Sequence, residues 1–152
     1  MKELVRSLYY AHGAWLYSFF GKKPWRLGYV PYKFLAIRHA LDRGVLRDGL
    51  LPAGYGFRLD ERIVEYPWLF SRLPPGVGNL LDAGSVLNYQ FLLAQPGLAG
   101  KRIFISTLAP ETNCYWSRPV SYVYEDLRDI CLRDNYFDWI ACLSTIEHIG
   151  LD

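Results

Sequence analysis

Three short groups of residues have the types and spacing to do chemistry. The first is Asp82-Ala83-Gly84-Ser85, where an apolar run ends in an acid and then a glycine. A glycine at a strand-to-helix turn lets a ligand come close to backbone N–H groups that point outward there. The same four residues also read as a plain turn, with Asp82 or Ser85 capping the next helix. The second group is the acid pair Glu125-Asp126, followed by Leu127, at the end of a β-rich run that begins at Ser121. The third is Glu147-His148, which closes the segment after a second apolar run, Trp139 to Leu143. Buried strands with polar residues massed at their C-terminal ends are how an open α/β sheet builds a ligand crevice. His148 could take a proton from a hydroxyl near neutral pH; the competing reading makes Glu147 and His148 helix-start residues.

The elements that must position these groups follow from apolar patterning. Val77 to Ala83, Arg102 to Ser106, Tyr122 to Tyr124 and Trp139 to Leu143 read as four short strands. Between the first two, Asn88 to Ala94 suits a helix stopped by Pro96-Gly97, and a long polar loop runs from Ala109 to Pro119. Strands alternating with helices or long connections argue for a parallel sheet. Upstream the pattern is helical. Residues 3–20 form one expected helix, and Pro31 to about Asp42 a second, with Phe34, Leu35, Ile37 and Leu41 in helical period. A third is expected over Glu65 to Leu73, with Pro67 in its first turn and Pro74-Pro75 ending it. A glycine-punctuated loop fills Gly44 to Gly56.

Composition bounds the function classes. The chain has 152 residues, and 16% of them are aromatic, so it has ample apolar surface for a core and is not expected to be disordered. Its net charge of +2 hides an asymmetry. Residues 1–50 carry nine lysines and arginines against three acids; the rest carries eight against twelve. The first third is thus a basic, aromatic segment suited to phosphates, an acidic partner or an anionic membrane, or simply a solvated helical face. Cys114, Cys131 and Cys142 are an odd number without CxxC spacing, so neither a disulfide framework nor a zinc site is expected, and a cytoplasmic location fits. The apolar stretch Leu8 to Phe20 is short of the roughly 20 residues of a spanning helix.

The second and third groups carry a resemblance. Asp126-Leu127-Arg128-Asp129, then Asp134-Asn135-Tyr136-Phe137-Asp138, then an apolar strand ending in Glu147-His148, resembles the class I S-adenosylmethionine-dependent methyltransferases, and within them the small-molecule branch. That pattern has an acid after the third strand, a loop ending Asn-Ser-Phe-Asp and a fourth strand closing in Glu-His. Tyr136 stands in the serine place. The likeness covers roughly Leu80 to Asp152.

The resemblance implies an α/β fold with an incomplete Rossmann-like parallel sheet of about four strands; the patterning upstream, which the likeness does not cover, adds a helical N-terminal segment. The expected domains are 1–60 (helical cap or contact segment) and 61–152 (partial cofactor-binding domain). It implies S-adenosyl-L-methionine as cofactor, held by Asp82, Gly84 and Ser85 at its methionine part. Asp126 would meet the adenine amino group, with Leu127 packing nearby. Glu147 and His148 would face the reacting methyl as candidate catalytic residues, and the acceptor would be a small molecule, with no nucleic acid partner.

The sequence also departs from the pattern. Val86 and Asn88 stand where the family's second and third glycines fall. The second strand ends Ile105-Ser106-Thr107-Leu108, with no acid for the ribose hydroxyls; Thr107 offers a hydroxyl and Glu111 is the nearest carboxylate. The family's sheet has three more strands after the fourth, so the chain reads as truncated, with an exposed apolar edge at Trp139. The alternative is a non-catalytic module that binds a partner or a membrane surface peripherally through residues 1–30. A nicotinamide or nucleotide-sugar enzyme is disfavoured, because Gly84 is followed by Val86 and Tyr89 rather than by the G-x-G-x-x-G glycines.

Overall fold

The structure, a computed structural model, describes residues 2–46 and 49–150, with side chains from Leu8 onward. Residues 47 and 48 of the expected 44–56 loop, and the last two residues of the Ser121–Asp152 segment, lie outside the described residues. The chain divides into two units, Met1–Leu73 and Pro74–Asp152.

The first unit is helical: α1 (Lys2–Phe19), α2 (Tyr29–Asp42) and α3 (Arg62–Arg72). α3 groups with α1 and α2, so the division falls after this helix and not at residue 60. The inner face of α1 carries Gly13 and the fully buried Tyr17. A mid-helix glycine costs about 1 kcal/mol of helix propensity. Here it is required by packing, because a Cβ on Gly13 would lie 2.7 Å from the Pro31 Cβ of α2. A half-buried polar knot joins the unit. Asp60 accepts from Lys33 Nζ at 2.7 Å and from the Tyr29 hydroxyl at 3.0 Å. Burial and the Asp60 carboxylate push the Tyr29 phenol up to about 12.

α3 begins one turn earlier than its sequence suggested, so Pro67 lies inside it. Proline has no N–H for the carbonyl four residues back. That carbonyl belongs to Ile63, and the Tyr55 hydroxyl donates to it at 2.8 Å. The helix therefore passes through Pro67 without leaving an orphaned acceptor.

The second unit is a four-stranded sheet of β1 (Gly78–Ala83), β2 (Lys101–Thr107), β3 (Val120–Tyr124) and β4 (Trp139–Ala141), in the order β3-β2-β1-β4. All neighbours are parallel. A short helix, α4 (Gln90–Leu93), and a 3-10 turn at Pro96–Leu98 connect β1 to β2. This is an α/β unit. β1 is central and buried on both faces from Asn79 onward, as its near-continuous apolar run requires. Leu80, Leu87, Leu92 and Ile105 are fully buried, each worth about 1.5–3 kcal/mol of burial. α4 is one turn rather than the expected Asn88–Ala94, because the Asn88 side chain is occupied elsewhere. It accepts from the Tyr122 hydroxyl at 2.9 Å and donates to the Asn113 carbonyl at 3.0 Å, tying the turn after β1 to β3 and to the loop before it. β4 also stops short of Leu143, its ladder matching only Leu80–Asp82 of β1. Its Ile140 is 65% exposed, which makes this edge apolar.

Candidate functional site

The chain runs β1, β2, β3 outward in one direction and then returns to the other flank of β1 as β4. Parallel strands on either side of such a reversal leave a gap at their carboxyl ends. The turn after β1 starts at Asp82, whose side chain is fully buried. Its carboxylate accepts from the Val86 N–H at 3.0 Å and the Leu87 N–H at 2.8 Å, so it closes the turn from beneath. The turn needs left-handed backbone at Gly84 (φ 102°) and Ser85 (φ 60°). At Gly84 glycine is required twice over, since a Cβ would also run into the Thr145 side chain beyond β4. Val86 and Leu87 point into the core. The side chain at the second glycine place is therefore turned inward, away from any ligand.

The ends of β2 and β3 are laced together. Glu125 N–H donates to the Thr107 carbonyl at 3.1 Å, and the Ser106 hydroxyl donates to Glu125 Oε1 at 3.2 Å. The other Glu125 oxygen accepts from the Cys131 N–H at 2.9 Å. The neighbouring Glu125 carboxylate pushes the Cys131 thiol pKa up. Asp126 is gripped by Arg128. The guanidinium reaches it through Nε at 2.9 Å and a terminal nitrogen at 2.7 Å, and the Arg128 N–H adds a bond at 2.8 Å. These bonds hold the Asp126 carboxyl below the usual range.

Above these ends lies a cleft of about 280 Å³. Gly84 lines it from the turn after β1, Ser106 and Thr107 from the end of β2 with Leu108 just beyond, Glu125 to Arg128 from the segment after β3, and Thr145, His148 and Ile149 from the segment after β4. Of the residues the sequence singled out, Gly84, Asp126, Leu127 and His148 meet here. Asp82 lies beneath the floor as the turn's clasp. Ser85 is outside the lining, its hydroxyl buried without a hydrogen-bond partner among the described residues. Glu147 is exposed and outside the lining, and the half-buried Glu111 is outside it too. Comparisons with protein-family models, with curated proteins and with solved structures find no match.

The lining includes groups that sequence reasoning underrated. Thr145 was only one of several polar residues after a strand, and its contact with Gly84 depends on pairing between strands far apart in sequence. Glu125 was half of an acid pair, and the sequence could not say that it would lean across to β2. Tyr136-Phe137-Asp138, in contrast, is not in the cleft. Asp138 exchanges hydrogen bonds with the start of β1: its carboxylate accepts from the Asn79 N–H at 2.8 Å and its own N–H donates to the Asn79 carbonyl at 2.9 Å. Tyr136 and Phe137 pack edge-on against Phe104. These residues fasten β4 to β1 at the end of the sheet where both strands begin.

Proposed function

We propose that the second unit is a methyltransferase domain that uses S-adenosylmethionine to methylate a small molecule. The observation that carries this reading is the cleft itself. It stands at the carboxyl ends of a parallel β3-β2-β1-β4 sheet, at the point where strand order reverses, and gathers Gly84, Asp126, Leu127 and His148. These are four of the seven positions to which the sequence resemblance gives roles.

The lining suits the cofactor chemically. Leu108, Leu127 and Ile149 give an adenine ring apolar contact, while Asp126 can accept from its amino group. The acid missing after β2 has a substitute in Glu125. Its carboxylate is held across β2 by Ser106 and keeps acceptor capacity for ribose hydroxyls. The volume lies near the lower bound of small-molecule pockets, about 300 Å³. One feature works against binding: Arg128 already occupies much of the Asp126 carboxylate, so an incoming amino group has to share it. When bound, the cofactor supplies an electrophilic methyl group on a sulfonium. The residues of the chain hold and align the reactants, which accounts for most of the rate in such a displacement. His148, exposed at the rim, is the group able to take the acceptor's proton. Glu147 lies outside the lining and contributes charge near it rather than contact.

Thermal-shift measurements with S-adenosylhomocysteine, NAD and ATP in parallel test the assignment. Stabilisation by S-adenosylhomocysteine alone is expected. Stabilisation by NAD or ATP instead would reassign the cleft, and no shift with any of the three would remove the reading.

A further inference from the structure

The first unit carries its apolar groups on the wrong side for a free-standing helical surface. Leu8, Trp15 and Phe19 recur at helical spacing on α1 and form one face, with His12 between them. That face is exposed, while Gly13 and Tyr17 point inward. His12, Trp15 and Phe19 stack on one another, with ring centroids 5.9 and 5.4 Å apart. Phe20 packs edge-on against Phe19, and further apolar side chains are exposed past the helix end. Phe19 is 69% exposed, Phe20 54%, Trp25 74% and Leu27 67%, and Val30 is exposed at the start of α2. So many large apolar side chains exposed within one short segment mark a binding face.

Charge identifies what the face meets. Lys23 and Arg26 are exposed among these aromatics, and Lys22 is half-buried beside them. Between Glu3 and Asp42 the sequence has six lysines and arginines and no acid. Exposed Trp, Phe and Leu interleaved with basic residues are the composition of a segment lying in the boundary of an anionic bilayer, apolar groups among the acyl chains and cations at the headgroups. No helix among the described residues is long and apolar enough to cross a membrane. The aliphatic members Leu8, Leu27 and Val30 favour a bilayer over single-stranded nucleic acid, whose bases stack on aromatic faces.

We infer that the Leu8–Val30 face of the helical unit is a docking surface for an anionic lipid bilayer, on which the protein lies without spanning. This holds whether or not the cleft of the second unit binds S-adenosylmethionine.

The test is co-sedimentation of the full chain with vesicles of phosphatidylcholine alone and of phosphatidylcholine with phosphatidylserine. Two paired variants, Phe19→Ser with Leu27→Ser and Lys23→Glu with Arg26→Glu, change exposed positions only, and circular dichroism confirms their folding. Binding to phosphatidylserine vesicles is expected, weaker at high salt and on neutral vesicles, and reduced at least about tenfold by either pair. No binding to phosphatidylserine vesicles, or binding that either folded variant leaves unchanged, overturns the inference. A dimer that dissociates in the Phe19→Ser, Leu27→Ser variant without vesicle binding would assign the face to a second copy. Capture of a single-stranded oligonucleotide without vesicle binding would assign it to nucleic acid.

Discussion

The two ends of the β-sheet use similar residues for opposite purposes. Where β1, β2 and β4 begin, polar groups are spent on the fold. Asp138 is fixed to Asn79, and the buried Lys101 donates to the Pro74 carbonyl at 2.7 Å while lying 4.0 Å over the Trp139 ring. Where the strands finish, Asp82 is spent in the same way, with both oxygens on backbone N–H groups; Glu125 and Asp126 also hold local partners, yet with Thr145 and His148 they border an open cleft. An acid near a strand end is therefore not a site by virtue of its type. What decides is where the chain places it: Asp82 beneath a turn, Asp138 against the start of a neighbouring strand, Glu125 and Asp126 on the wall of a cleft.

Substitutions can break or sharpen that contrast. The largest effect is expected at Asp82. Asp82→Ala leaves two buried N–H groups without their charged acceptor, and should cost about 3–5 kcal/mol in urea denaturation. A loss below about 1 kcal/mol would mean that the turn does not depend on this clasp. Asp138→Ala, at the other end, removes one bond to an exposed carboxylate and should cost about 1 kcal/mol while leaving ligand affinity in the cleft unchanged.

Lys101 gives a pH signature for the closed end. Burial lowers its pKa, because folding takes the ammonium out of water. Below its folded-state pKa the protonated form carries the full burial cost. Between that value and the free-lysine value the unfolded chain binds more protons, so stability rises with pH in that window. The stability difference between the wild type and Lys101→Met should shift in favour of the wild type as pH climbs toward that of free lysine, measured by denaturation at matched ionic strength.

The smallest effect on stability is expected at the open end. Arg128→Ala should leave the melting temperature almost unchanged. It should also let the Asp126 carboxyl titrate nearer the usual carboxylate range by NMR, and tighten S-adenosylhomocysteine binding severalfold by freeing that carboxylate.

Much of the sheet was legible in the sequence, because buried parallel strands leave short apolar runs such as Leu80-Leu81 and Ile103-Phe104-Ile105 bounded by turn residues. The positions of the acids along those strands were legible for the same reason. Their employment was legible only as alternatives, a turn clasp or a ligand contact at Asp82. Asp82 turns back on its own loop because Gly84 and Ser85 adopt left-handed backbone, a local conformation that composition does not fix. Asn88 shortens α4 through partners 25 and 34 residues away. Pro67 sits inside α3 because Tyr55, outside the helix, serves the carbonyl it abandons. Each difference comes from a partner distant in sequence or from a backbone state, whereas local patterning reports only which face of an element is buried.

The most direct test of the account is titration calorimetry of the full chain with S-adenosylhomocysteine, comparing the wild type with Glu125→Ala, Asp126→Ala and Asp138→Ala. The account predicts one site per chain, affinity weakened at least about tenfold in each of the first two variants, and wild-type affinity in the third. Absence of binding in the wild type, or a loss on Asp138→Ala equal to that on Glu125→Ala and Asp126→Ala, would contradict it.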